Sequence, residues 1–219
     1  INNKAHSDDI KVSVSEKKLK RVNVKEEKPK RESAVKKSSK KVIVDETDSK
    51  YFKFTGHSKL TLAKFTGTMS KVVIPEYVEG KPVVAIAKGA FEDCNSLLEL
   101  VMPESIVTIN GSAFKNCSNL KTMHISNNVA QLVSTSFEGC VSLEEVNIPD
   151  NVTDVNYRMF VDSPIKKLHL GKSLKSVTHV LFRTRDYMNR KTEKITVDKD
   201  NQNFEVKNDA LLTKDGKVL

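Results

Sequence analysis

The first fifty residues contain no aromatic side chain and no glycine; all thirteen aromatics, nine Phe and four Tyr, lie at or beyond Tyr51. That stretch holds fifteen Lys or Arg against nine Asp or Glu, and so supplies +6 of the chain's net +9. Dense charge with little to bury favours a solvated linker. Yet residues 10–14, 19–24 and 42–44 alternate apolar with polar side chains, as half-buried strands do. Residues 1–49 are therefore either a charged linker or a degenerate strand segment. Cysteine is also scarce: Cys94, Cys117 and Cys140 are the three, spaced 23 and 23. No Cys-x-x-Cys pair or companion His accompanies them, which argues against zinc. A disulfide between neighbouring rungs is geometrically possible but strained and leaves one thiol over; buried free thiols that pack as small hydrophobes fit better. No run of eighteen apolar residues exists, so no helix is expected to span a membrane. The chain begins Ile1-Asn2-Asn3-Lys4 with no Met and no signal-peptide pattern, and reads as a fragment or a processed product. No nucleophile with an oriented base, no metal set and no cofactor motif is found, so no enzymatic activity and no cofactor are expected.

What is present is repetition. Leu97, Leu100 and Met102 return as Leu120, Met123 and Ile125, then as Leu143, Val146 and Ile148, then as Ile165, Leu168 and Leu170. Phe114, Phe137 and Phe160 fall 23 apart. A fixed period of this length marks a solenoid, in which each repeat buries its apolar side against its neighbours. The Leu-x-x-Leu-x-Leu spacing is that of a leucine-rich-repeat strand. The expected fold is an α/β, β-dominated solenoid with a concave parallel sheet and short helical turns on the convex side. Repeats start near 71, 97, 120, 143, 165 and 192. Each Phe, after Ala90, Ala113, Ser136, Met159 or Leu181, should insert its ring into the core. Tyr51 to Leu62 alternates around Gly56 and reads as a β-hairpin, placed over residues 51–70 as an N-terminal cap. Glu79-Gly80-Lys81-Pro82 reads as a turn, and the chain is expected to close with a tight hairpin at Asp215-Gly216.

Strand alternation places residues 100 and 102 inward and their neighbours outward. The outward columns are Lys71, Glu99, Thr122, Glu145, Lys167 and Lys194, and beside them Val73, Val101, His124, Asn147, His169 and Thr196. A rigid sheet that presents ordered side chains is how solenoids bind extended partners. Glu99, Val101, Thr122, His124, Glu145, Asn147, Lys167 and His169 are the candidate binding residues; a merely solvated face is the alternative. His124 and His169 should stand two rungs apart, roughly 10 Å, too far to share a zinc ion. Glu99 and Glu145 are likewise separated, which argues against a glycosidase pair. A second candidate is the stretch 183–191, where the register is broken: Arg183, Arg185, Tyr187, Met188 and Arg190 are of types enriched at interfaces, although an insertion can be a tolerated loop.

The wording Ile-Pro-x-x-Val-x-x-Ile-x-x-x-Ala-Phe-x-x-Cys-x-x-Leu, nearly whole at 102–120 and 148–165, resembles the BspA-type leucine-rich repeat family of bacterial and protist surface proteins. Residues 60–67 and 79–83 resemble its usual opening, and 201–216 a common closing unit, so the resemblance covers 51–219. Ser163 departs from it in place of Cys. The resemblance implies a secreted or cell-surface, non-enzymatic binding or adhesion module whose partner is a protein or another cell-surface macromolecule. The alternative is an intracellular scaffold or polyanion-binding protein that uses the basic N-terminal tail. Nucleic acid is set aside as a partner, because the tail has no aromatics for base stacking and interleaves Glu26, Glu27 and Glu32 among its lysines.

Overall fold

The computed structural model describes residues 46–155, 158–177, 193–208 and 210–217, all within one unit, Val42–Leu219. The sequence alternation becomes two walls of short strands joined by a ladder of turns. A 3-10 turn at Ser49–Tyr51 leads into a hairpin of β1 (Phe52–Thr55) and β2 (Leu60–Phe65). Gly56, at φ 115°, makes the hairpin's turn, where a Cβ would lie 2.1 Å from the Lys59 carbonyl. After β3 (Lys71–Val73) comes a second hairpin, β4 (Tyr77–Val78) and β5 (Lys81–Ile86), turned by Glu79 and Gly80 at φ 51° and 75°. Positive φ at both central residues is what a two-residue hairpin turn requires.

Each later coil contributes two strands: β6 (Glu99–Val101) and β7 (Thr108–Ile109), β8 (Thr122–His124) and β9 (Gln131–Leu132), β10 (Glu145–Ile148) and β11 (Asp154–Val155), β12 (Lys167–Leu170) and β13 (Ser176–Val177). β14 (Lys194–Val197) follows, then an antiparallel pair, β15 (Phe204–Lys207) and β16 (Ala210–Thr213). The front wall, the one expected to be concave, consists of the parallel ladders β3-β6-β8 and β10-β12-β14; the rear wall consists of β1-β2-β5-β7-β9, with β4 alongside β5, and β11-β13. The single sheet expected at the front is thus two, and the rear wall parts at the same coil. The result is a β-dominated solenoid of about five turns.

The inward and outward assignment holds along the described strands except at Val73, expected outward but buried, and at Met123, expected inward but only half-buried. Leu100, Met102, Ile125, Val146, Ile148, Leu168 and Leu170 are buried, while Thr122, His124, Glu145, Asn147 and Lys167 are exposed. Phe91, Phe114, Phe137 and Phe160 are fully buried. Together with Phe65 they form one column of rings, with centroids 5.2, 5.1, 5.5 and 5.6 Å apart. The interplanar angle falls to 5° between Phe114 and Phe137. Leu181-Phe182 lies outside the described residues.

The segments that carry these rings are single hydrogen-bonded turns, with no regular helix among the described residues. Bonds run from Glu92 N to Gly89 O, from Lys115 N to Ser112 O and from Glu138 N to Thr135 O, at 3.1–3.2 Å. Two left-handed positions recur in the four coils whose turns are described: Gly89, Ser112, Thr135 and Arg158 at φ 56–71°, and Asp93, Asn116, Gly139 and Asp162 at φ 58–74°. A helix cannot propagate through a left-handed residue, so each ring sits on one turn closed at both ends. The turns also bond to one another: Phe65 N to Ala90 O, Phe91 N to Ala113 O, Phe114 N to Ser136 O and Phe137 N to Met159 O, at 2.8–3.1 Å.

Both ends of the coil stack carry extra chain. β2 runs parallel to β5, so the first hairpin extends the rear wall. The outer edge of β3 receives Thr47, whose N–H donates to the Val73 carbonyl at 2.9 Å and whose hydroxyl accepts from Val73 N at 2.9 Å. Residues 46–48, grouped with the linker by composition, therefore satisfy a strand edge that would otherwise expose unpaired groups. At the other end, buried Asn201 donates to the Gly171 and Leu174 carbonyls and accepts from Asn203 N and Phe204 N. A hairpin joins β15 and β16 between Lys207 and Ala210, with Asn208 at φ 50°; the turn expected at Asp215-Gly216 follows, held by Thr213 N to Lys217 O at 2.9 Å, while Val218-Leu219, the strand expected after it, lies outside the described residues.

Candidate functional site

Ladder register fixes which candidate residues stand side by side. On the first front sheet Lys71, Glu99 and Thr122 share one rung line, and Val73, Val101 and His124 the next. Lys71 and Glu99 pair at 3.0 Å with side chains about half exposed. On the second sheet the lines are Glu145-Lys167-Lys194 and Asn147-His169-Thr196. The eight candidates therefore fall into two groups of four, with the break between β8 and β10 separating Thr122 from Glu145 and His124 from Asn147.

The second group surrounds a hollow of about 470 Å³, crossed between the outward columns by Val146 and Leu168, whose side chains face the core. Glu145, Asn147, Lys167 and His169 are joined there by Lys194 and Thr196 of the same columns. The strand signal at Ile195-Thr196-Val197, after the irregular stretch, was the pointer to these last two. Glu145 neutralises Lys167, its carboxylate standing 3.2 Å from the ammonium. His169 Nδ1 lies 2.9 Å from the Thr196 hydroxyl, which fixes the ring plane and turns Nε2 away from that bond. Behind the hollow the backbone N–H and the ammonium of Lys172 hold the carboxyl of Asp150 below its ordinary range. Among the described residues Lys194 has no ion pair and the Asn147 carboxamide no hydrogen-bond partner. His124 and His169 stand on different sheets. The second candidate site, Arg183, Arg185, Tyr187, Met188 and Arg190, lies outside the described residues.

Cys117 and Cys140 belong to the core, as expected of buried thiols, whereas Cys94 is only partly buried against it. All three are free. Cys117 Sγ donates to the Phe91 carbonyl and Cys140 Sγ to the Phe114 carbonyl, each at 3.0 Å. Ser163 occupies the equivalent place one coil on and donates to the Phe137 carbonyl at 2.6 Å. The apparent departure at Ser163 thus keeps the bond and changes only the donor atom. Burial pushes the Cys140 thiol up to about 12 and raises Cys117 further still. Neither is a nucleophile at neutral pH, because the thiolate is the reactive form.

The description "BspA type Leucine rich repeat region" matches residues 51–189 in six copies. No curated protein matches. Among solved structures, the leucine-rich repeat protein TpLRR of T. pallidum is 23% identical, over 60% of this chain and 74% of that one, with a TM-score of 0.51. A leucine-rich repeat protein of Eubacterium ventriosum is 18% identical over 72% of this chain and 44% of that one, at 0.52. The pneumococcal vaccine antigen PcpA is 17% identical over 78% and 54%, at 0.50. These likenesses show the fold, and this chain spans about half the length of the last two proteins. No helix among the described residues is long and apolar enough to cross a membrane. With a match that covers most of its length, and with coils, ring column and turn positions all recurring at the period read from its sequence, the chain belongs to the BspA-type leucine-rich repeat family.

Proposed function

We propose that this protein is a non-enzymatic binding module, secreted or displayed on a cell surface, that recognises a protein partner through the concave front face. The observation that carries the proposal is the hollow on β10-β12-β14, where side chains from three strands converge on a site that the core does not need. Its volume falls within the range of about 300–1,000 Å³ over which ligand sites are found. PcpA, similar in fold, is a vaccine antigen. The hairpin β1-β2 and residues 46–48 act as the cap of the coil stack, since a terminal repeat must hide its open end.

A second reading has its own support in the +6 carried by the first fifty residues, which would attract a polyanion. The two separate in one experiment: binding to a panel of immobilised matrix proteins and to polyanions, with and without residues 1–45, which spares the Thr47 contacts to β3, and with Lys167→Glu and Lys194→Glu together. Retention of matrix binding without the tail, and its loss on front-face charge reversal, is the expected result. If deleting the tail alone abolished all binding, the concave-face proposal would fail.

A further inference from the structure

We infer that the hollow on β10-β12-β14 takes an acidic, extended peptide segment of the partner, with Lys194 as the anchor for a carboxylate. This inference rests on the concave-face proposal and specifies its ligand.

The charges decide the sign. Glu145 and Lys167 cancel at 3.2 Å, leaving Lys194 as the uncompensated charge of the hollow among the described residues. An ammonium with no counter-charge in the same hollow favours an incoming anion. Lys194 sits directly across the ladder from Lys167, so a second carboxylate on the ligand could take Lys167 from Glu145.

The remaining groups decide the class. The Asn147 carboxamide offers a donor and an acceptor, the pair that a peptide amide presents in reverse. His169, held by Thr196, presents its other ring nitrogen. Among the described residues no aromatic ring lines the hollow, so its described lining offers no stacking platform for a sugar face or a base. Acidic residues at alternate positions of an extended strand recur about every 6.8 Å. Flexible lysine stems on neighbouring rungs, about 4.8 Å apart, span that spacing. Val146 and Leu168 turn their side chains into the core, so between the outward columns the ligand would meet strand backbone.

The test uses the whole chain and a fluorescein-labelled ten-residue peptide of alternating glutamate and serine, followed by anisotropy at physiological salt. Lys194→Glu should weaken binding about tenfold or more. Glu145→Gln, which releases Lys167, should tighten it by about threefold, a gain that no folding defect can imitate. Lys59→Glu makes the same charge change on the exposed turn of the first hairpin and should leave affinity within about twofold. Equal losses from Lys59→Glu and Lys194→Glu would mean general attraction to a basic chain and would overturn the inference, as would no gain from Glu145→Gln. Lys194-dependent capture of a heparin hexasaccharide with no capture of the peptide would also overturn it, in favour of an acidic glycan. If matrix-protein binding still needs the front face while the peptide ignores Lys194, this inference falls and the concave-face proposal stands; if neither responds to the front face, both fall.

Discussion

The strand walls and the ring column differ in the one place where continuity is tested. Between the third and fourth coils both walls lose their ladder, β8 from β10 and β9 from β11. The column runs on: Phe137 stacks on Phe160 at 5.6 Å and 8°, Phe137 N reaches Met159 O at 3.1 Å, and Gly139 N reaches Val161 O at 2.8 Å. Ser163 bridges the same gap twice, donating to Phe137 O and accepting from Cys140 N at 3.0 Å. Asn151 adds a bond from its carboxamide to Asn127 O at 3.1 Å. The turn side therefore holds successive coils together where the strands do not, which makes it the side on which stability depends.

The largest effect is accordingly expected from Phe137→Ala. The ring is fully buried between two others, and its removal leaves a cavity next to the lapsed walls. A loss of about 3–5 kcal/mol in urea unfolding is expected. Met123→Ala, on the front wall at the same gap, is the counterpart: Met123 is only partly buried, and about 1 kcal/mol is expected. Equal losses from the two would show that the walls carry as much as the column.

Next in size is a response to alkali. The folded state keeps the Cys140 proton up to about 12, with Cys117 higher still, whereas an unfolded thiol releases its proton near 8.5. Above that value the unfolded chain binds fewer protons than the folded one, so stability is intact below the ordinary thiol range and falls as pH rises toward the folded value. The slope is about 1.4 kcal/mol per pH unit for each buried thiol. Since Ser163 makes the same bond one coil on, Cys140→Ser should fold at neutral pH and lose one thiol's share of the slope. Urea midpoints from pH 8 to pH 10, wild type against variant, measure the difference. A thiol reagent should meanwhile label Cys94, the one partly exposed cysteine, ahead of the other two.

Much of this was legible in the sequence, and the residues show why. The 23-residue beat of Phe114, Phe137 and Phe160 gave the column, and alternation gave the burial of Leu100 and the exposure of Glu145, because both depend on side-chain period alone. The turns were harder. Ser112, Thr135 and Arg158 occupy a left-handed position that Gly89 fills in the first coil; only that glycine announces the conformation. Left-handed residues at both ends explain why helical turns were expected and single turns were found. Nor does composition show that Thr47 would reach β3, a contact 26 residues distant. The hollow was half legible: its residues lay in the outward columns, but the break that sets them apart from Thr122 and His124 has no mark in the repeat pattern.

The smallest effects belong to the front wall, and there smallness is informative. Lys71-Glu99 and Lys167-Glu145 are solvated pairs on adjoining rungs of two sheets, at 3.0 and 3.2 Å. Exposed pairs contribute little, because two long side chains are ordered for an attraction that water screens. Glu99→Gln and Glu145→Gln should each shift stability by no more than about 0.5 kcal/mol in urea unfolding. Their effects on peptide affinity should nevertheless diverge, with a gain for Glu145→Gln and no change for Glu99→Gln, since only Glu145 faces the hollow. Matched stability with unmatched binding would place recognition on the second front sheet; a loss of stability from either variant would instead make the outward columns part of what holds the coils together.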